Sequence, residues 1–368
     1  MKAAVLHEPG SVSVEEVPEP SVGADEILVR VRAASICGTD LRIFKHGHFK
    51  IPAGQSRVLG HEVAGDVVAV GGQVTGFCPG MRVSVTPNVG CGRCDMCRHG
   101  FNNMCAGYEA FGISIDGGFQ ELLRVPGFAL QRGNVFELPE KVSYAEAALV
   151  EPFSCCYTGQ QALRVGPEDV VVIAGAGPIG AFHVLLGKLA GARKVIISNR
   201  SRPRLDLAAR LGADVCVSVR ERDLADVVRE HTGGRGADVV ITAVSDPQVQ
   251  EQALDLLATH GRLNYFAGLG AAGTAVPVDT NKVHYKGLTL TGTTGSTNGD
   301  YGRCLRLVGD RRVDLSPVVG QVFELEMIHD AFAYASSGAG MKAMIAFGGD
   351  VFETAAGPGP HGAPPEGR

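Results

Sequence analysis

The run Val170-Val171-Val172-Ile173-Ala174 leads straight into Gly175-Ala176-Gly177-Pro178-Ile179-Gly180, and a helical pattern follows through Phe182, Leu185, Leu186 and Leu189. A G-x-G-x-x-G string alone is a weak signal. Between an apolar β run and a helix it is informative, because glycines let a pyrophosphate approach the backbone and the helix N-terminus supplies N–H donors. The bland alternative is a glycine turn with no ligand, and the flanking strand and helix argue against it. Val170 to Gly187 also lacks carboxylates, lysines and arginines and approaches the length of a membrane span. The glycines and proline clustered inside it favour a strand, a turn and a buried helix.

Strand and helix patterns alternate onward from this point. Val195–Ser198, Val215–Val219, Val239–Ala243, Leu263–Ala267 and Leu288–Thr291 continue the strand series, with helical stretches interspersed. Six such strands predict a doubly wound parallel sheet. The first third reads differently. Lys2–Leu6, Val12–Val17, Ile27–Ala34, Glu62–Val70, Met81–Thr86 and Phe119–Val125 are short, valine-rich and separated by Gly/Pro turns, which predicts an antiparallel barrel-like domain. The expected division is 1–155 with 295–350 as one domain and 156–294 as the other. The Gly/Pro-rich stretch 351–368 is expected to be a disordered tail.

Ten cysteines occur in the chain, four of them within fifteen residues, and no apolar signal-peptide core precedes them. That pattern favours metal over disulfides and a cytoplasmic location. Cys91, Cys94, Cys97 and Cys105 follow C-x2-C-x2-C-x7-C, and four thiolates close a tetrahedral zinc shell with no open position, a structural site. Four unligated cysteines in a loop are the plain alternative. A zinc knuckle on nucleic acid is another, but the net charge of −5 offers no basic patch for it. No nucleic-acid or membrane partner is expected.

The second strand of the parallel sheet ends in Ser198-Asn199-Arg200-Ser201-Arg202-Pro203-Arg204. An acidic residue is expected there if NAD is the cofactor, because it bonds the ribose 2′-hydroxyl. Asn199 stands in its place, and Arg200, Arg202 and Arg204 suit a 2′-phosphate. NADP is therefore favoured over NAD, against the alternative that these arginines are simply solvated. Cys37 with His61-Glu62 is a looser signal. Thiolate, imidazole and carboxylate can hold zinc with one position exchangeable, yet a single Cys or His is more often structural, and spacing alone leaves the question open.

With these motifs in view, the sequence resembles the zinc-dependent medium-chain dehydrogenase/reductase family, in its polyol and L-threonine dehydrogenase-like branch. Cys37-Gly38-Thr39-Asp40, Gly60-His61-Glu62-Val63-Ala64-Gly65, the Cys91–Cys105 cluster, Glu151-Pro152 and the Gly175–Gly180 loop carry the resemblance, which runs from Met1 to about Gly348. It implies a GroES-like catalytic domain, a Rossmann domain and two zinc ions per chain. Cys37 and His61 match catalytic zinc ligands. Glu62 and Glu151 match acidic positions that bind the metal or its water. Asp40 matches a carboxylate orienting the histidine, and Thr39 a hydroxyl passing the alcohol proton. The implied reaction moves a hydride between NAD(P) and a secondary alcohol or ketone: a polyol, sugar, cyclitol or amino alcohol. A homo-oligomer, dimer or tetramer, is expected.

The chain departs from the family pattern at Arg42, where relatives often place a relay histidine, and at Ile43, where sorbitol dehydrogenases tend to carry tyrosine. An aldehyde reductase or simple-alcohol dehydrogenase is the competing enzyme reading. A catalytically silent zinc protein is the competing non-enzyme, and it has no reason to keep Cys37, His61, Glu62 and Glu151 together.

Overall fold

The computed structural model describes residues 1–270 and 274–355, together with the backbone of 357–358. It divides into two compact units, Met1–Pro152 with Ser296–Arg368, and Phe153–Gly295. The division falls inside the helix Tyr144–Leu163, at its internal Pro152, where a backbone N–H is missing from the helical ladder.

The first unit is built on a seven-stranded sheet. Ile27–Ser35 is central, pairing antiparallel with Glu62–Val70, with Leu122–Val125 and with Lys342–Ala346. Val319–Glu324 pairs parallel to Lys342–Ala346 and forms one end. A second, three-stranded sheet joins Ser11–Glu16, Lys2–Glu8 and Arg57–Val58. Alternating Val, Ile and Ala side chains of these strands close one core with Phe111, Phe119, Phe323 and Phe332. The β-rich expectation omitted the helical elements of this region, chief among them one beside the site. Residues 38–46 form a helix, whose last turn carries Lys45 and His46, as the C-terminal end of a helix dipole favours.

The second unit is a six-stranded parallel sheet. Numbered along the chain from Val170–Ala174, its strands lie in the order 3-2-1-4-5-6, the doubly wound dinucleotide-binding arrangement. Its first strand is buried on both faces, which explains the unbroken apolar run. The fifth strand starts earlier than the periodicity predicts, at Leu257.

The expected tail needs correcting at its start. Val351 is buried, its carbonyl accepts from Ala145 N at 2.8 Å, and Ala355 N donates to Glu140 O at 3.0 Å. A valine with an apolar seat and paired backbone groups is bound chain. Residues 359–368 lie outside the described residues.

Candidate active site

Three ligand types converge in the first unit. Cys37 is the N-cap of the helix Gly38–His46. His61 and Glu62 stand where the strand Glu62–Val70 begins. Register brings them together: Ser35 lies opposite Glu62 in the sheet, and Cys37 follows two residues after Ser35. One donor atom each from Cys37, His61 and Glu62 falls within 4.8 Å of the others.

Asp40 anchors this corner. It is fully buried, and its carboxylate accepts from Cys37 N at 2.8 Å and Gly60 N at 3.2 Å. His61 Nδ1 lies 3.2 Å from Asp40 Oδ1, off the line of a strong hydrogen bond. Burial opposes the Asp40 charge, but His61 and the two N–H donors outweigh it and hold the carboxyl below its ordinary pKa. Burial would likewise depress His61, yet Asp40 and Cys37 on its flanks raise its pKa. The pocket thus concentrates anionic groups around one imidazole, a field that a divalent cation fits.

Glu62 is held by groups the sequence did not flag. Ser35 Oγ donates to its Oε2. Lys342 Nζ donates to Oε1 at 2.6 Å and also to Ile36 O at 2.9 Å. Burial raises the Glu62 pKa to about 7, with Lys342 opposing and Glu151 adding to the rise. Lys342, itself buried, is kept charged by Glu62 against the cost of burial. The available signal was a lysine inside the apolar run Met341-Lys342-Ala343-Met344-Ile345-Ala346.

Glu151, on the helix Tyr144–Leu163, is buried and acts electrostatically on Glu62, but it stands outside the three-residue donor set. Tyr301 was also missed. It is buried, and burial above all, with Glu151 and Glu62 adding, pushes its phenol well above its ordinary pKa. Thr39 is half-buried and Arg42 exposed, both on the helix that Cys37 caps.

The other cysteine cluster forms a compact nest. The sulfurs of Cys91, Cys94, Cys97 and Cys105 lie within 4.8 Å of one another, and all ten cysteines are free of disulfides. Cys91 N donates to Cys105 Sγ at 3.3 Å and Cys94 N to Cys91 Sγ at 3.4 Å. Backbone N–H groups of Arg93 and Cys94 lower the Cys91 thiol to about 6, the direction a thiolate ligand needs. Gly90 leaves the room: a Cβ there would stand 2.7 Å from Cys97 Sγ.

In the second unit, Gly177 caps the helix Pro178–Leu189, with Pro178 in its first turn and Ile179 next. Gly175 has φ +111°, and a Cβ on Gly180 would meet Gly175 O at 1.9 Å. The third glycine is therefore dictated by helix–strand contact. Asn199 Oδ1 accepts from Arg200 N at 2.6 Å and Ser201 N at 2.9 Å, which leaves its amide N–H groups as the outward function. Arg204 Nη1 lies 3.7 Å from where a Cβ on Gly177 would be. Arg200 Nη2 lies 3.7 Å from Asp246, while Arg202 faces Asp206 at 3.6 Å and Glu221 at 4.0 Å.

Comparison with known proteins agrees with these two units. Residues 23–139 match the alcohol dehydrogenase GroES-like domain and residues 178–310 the zinc-binding dehydrogenase domain. Sorbitol dehydrogenase of Bacillus subtilis is 31% identical over 91% of this chain and 93% of its own length. The chain belongs to the zinc-dependent medium-chain dehydrogenase/reductase family, in its sorbitol and L-threonine dehydrogenase-like branch. Among solved structures, a zinc-binding dehydrogenase of Sinorhizobium meliloti bound to NADP is 30% identical with a TM-score of 0.85, covering 94% of this chain and 99% of its own. An Escherichia coli alcohol dehydrogenase complexed with NADH is 26% identical with a TM-score of 0.85, over 94% and 99%. The chain is an alcohol dehydrogenase of this family, using zinc and a nicotinamide cofactor. No helix among the described residues is long and apolar enough to cross a membrane.

Proposed function

We propose that the protein interconverts a secondary alcohol and its ketone on a polyol, sugar, cyclitol or amino alcohol, with two zinc ions per chain. The observation that carries this is the convergence of Cys37, His61 and Glu62 within 4.8 Å, separate from the four-cysteine nest. When bound, zinc polarises the substrate oxygen and nicotinamide exchanges the hydride. Cys37 and His61 would hold that metal, with Glu62 or Glu151 completing its shell, and Asp40 fixes the His61 ring. Thr39 carries the alcohol proton away. The cysteine nest would hold the second ion as a structural site.

NADP is the cofactor we favour. The Asn199 carbonyl is spent on two backbone N–H groups, so the side chain offers donors rather than the acceptor that a ribose 2′-hydroxyl prefers. Arg204 beside Gly177 supplies a cation, while Arg200 faces Asp246 and Arg202 faces Asp206 and Glu221. Ten free cysteines support a reducing, cytoplasmic setting. A dimer or tetramer is the assembly we favour, to be measured by light scattering.

The test is a steady-state panel of polyols, cyclitols and amino alcohols with both cofactors, alongside metal analysis. Turnover with NADP preferred and about two zinc ions per chain supports the reading. Thr39→Ala should lower kcat about 10²-fold. Undiminished turnover by Cys37→Ser protein in metal-depleted buffer, or a higher kcat/KM with NAD, would overturn the respective parts.

A further inference from the structure

Asn298-Gly299 is the single Asn-Gly dipeptide of the sequence. Such a pair carries its own chemistry. With no side chain on the second residue, its backbone nitrogen can reach the asparagine Cγ and close a succinimide ring. The amide nitrogen leaves as ammonia, taking the backbone N–H proton with it. Water then opens the ring to aspartate or isoaspartate, and no oxidant or other reactant enters. The step needs a free side-chain amide and a backbone that can turn out of the helical range.

Asn298 has neither while its surroundings are in place. It is the first residue of the helix Asn298–Gly309, which Thr297 caps by accepting from Asp300 N at 3.0 Å. Its amide is held at both ends, all within the first unit. Nδ2 donates to Arg132 O at 2.9 Å and Gly133 O at 3.2 Å, with Asn134 Oδ1 at 3.4 Å. Oδ1 accepts from Asn102 Nδ2 at 3.0 Å, and Asn298 N donates to Asn102 Oδ1 at 3.0 Å. Asn298 is half-buried, whereas Gly299 is exposed to water.

Both anchors of this amide rest on the cysteine nest. Asn102 belongs to the nest's own loop, three residues before Cys105. Gly90 is wedged between it and a nest sulfur: a Cβ there would stand 3.0 Å from Asn102 Cβ and 2.7 Å from Cys97 Sγ. Arg132 lays its guanidinium on Gly92, inside the nest, where a Cβ would fall 2.2 Å from Arg132 Cζ. Of residues 91–105 only Cys105 is buried. No apolar core therefore holds this loop, and its shape depends on what joins its four sulfurs.

We infer that Asn298 is a deamidation site guarded by the metal of the cysteine nest. With the nest filled, the clamp withholds the amide and the helix withholds the Gly299 nitrogen. When metal leaves, the loop loosens, Asn102 and Arg132 release the amide, and Gly299 N attacks Asn298 Cγ with loss of ammonia. The product carboxylate faces the carbonyl oxygens of Arg132 and Gly133, where the amide used to donate. Acceptor then meets acceptor, the clamp cannot re-form, and a passing loss of metal becomes permanent. This rests on the structural-zinc reading of the nest given above.

The experiment incubates zinc-loaded and chelator-treated protein side by side at mildly alkaline pH. Peptide mass spectrometry follows amide-to-acid conversion at Asn298, and metal analysis accompanies each sample. Conversion should be at least about tenfold faster in the depleted protein. Cys37→Ser, which forfeits only the catalytic metal, should convert as slowly as the unmutated enzyme, tying the effect to the nest. Gly299→Ala should suppress conversion in both forms. It is sterically tolerated, since its Cβ meets nothing closer than Thr297 Oγ1 at 3.6 Å. Should circular dichroism show that the depleted protein unfolds, Asn102→Ala decides, because it opens one side of the clamp with zinc in place and should speed conversion by itself. Equal rates in loaded and depleted protein, or an Asn102→Ala rate no faster than normal, would overturn the inference and leave the zinc reading standing. Metal analysis that finds no zinc in the nest of Cys37→Ser protein refutes the structural-zinc reading, and the guard falls with it.

Discussion

Lys342→Met separates the two candidates for the third metal ligand. Lys342 Nζ lies 2.5 Å from Glu62 Oε2 and 2.6 Å from Oε1, with both side chains buried. Two unit charges near 3 Å at an effective dielectric constant of about 20 attract by about 5 kcal/mol before desolvation is counted. Removing one partner of a buried pair typically costs about 3–5 kcal/mol, because the other charge is stranded. Glu62 has one escape. Its pKa is already raised to about 7 by burial, so it can take a proton, which places the expected loss near 3 kcal/mol at neutral pH. A zinc ion on Cys37 and His61 offers Glu62 a second escape, since the metal replaces the lysine as counter-charge. The loss should therefore be about 3 kcal/mol in protein depleted to one zinc per chain and under about 1.5 kcal/mol in the two-zinc form. Linkage then requires the variant to bind its second zinc about tenfold more tightly. Urea unfolding of both forms, with a chromophoric chelator competing for the second zinc, measures each quantity. Equal losses in the two forms, with unchanged zinc affinity, would remove Glu62 from the ligand set and leave the place to Glu151.

Three further outcomes follow from the same physics. His183 is fully buried, its Nε2 has no partner among the described residues, and burial lowers its pKa to about 3. The unfolded chain therefore binds an extra proton at pH values between about 3 and the ordinary 6.5. Stability from this group is full above pH 6.5 and is lost as pH falls, by up to about 1.4 kcal/mol per unit. His183→Leu should flatten the acid limb of urea midpoints by that slope, and an unchanged slope between pH 6 and pH 4 refutes it. Gly180→Ala drives a Cβ into Gly175 O, a backbone contact that no rotamer relieves. NADPH affinity measured by fluorescence should fall at least tenfold, with stability lower by about 1–3 kcal/mol, and affinity within twofold of normal would show that the helix can shift. Cys94→Ser opens the four-sulfur nest, and since structural zinc supplies folding free energy on the order of 10 kcal/mol in small peptides, melting should drop sharply. Normal melting with full zinc content would refute that site.

What was legible in the sequence depended on the distance over which a feature is specified. The Gly175–Gly180 loop could be read because its constraints are local: a φ of +111° at Gly175 and a 1.9 Å approach at Gly180 exclude side chains whatever the rest of the fold does. The cysteine nest is equally local, since its four sulfurs come from one fifteen-residue loop. The alternation of strand and helix encodes the parallel sheet for the same reason. Cys37, His61 and Glu62 are another matter. Their neighbourhood is created by strand register, Ser35 opposite Glu62, which no spacing rule contains, and the family resemblance supplied what the residues alone did not.

Lys342 shows where such reading ends and what can extend it. It lies 280 positions from Glu62 and reaches it because Lys342–Ala346 pairs with Ile27–Ser35 on the side away from Glu62–Val70. No local pattern records that adjacency. A lysine inside an apolar strand nevertheless carries a large burial cost, so its presence implies an anion within a few ångströms, here Glu62. The reasoning holds only where water is excluded: a buried cation finds its anion within the fold, as Lys342 does, whereas exposed cations such as Arg42 are satisfied by water and imply no partner.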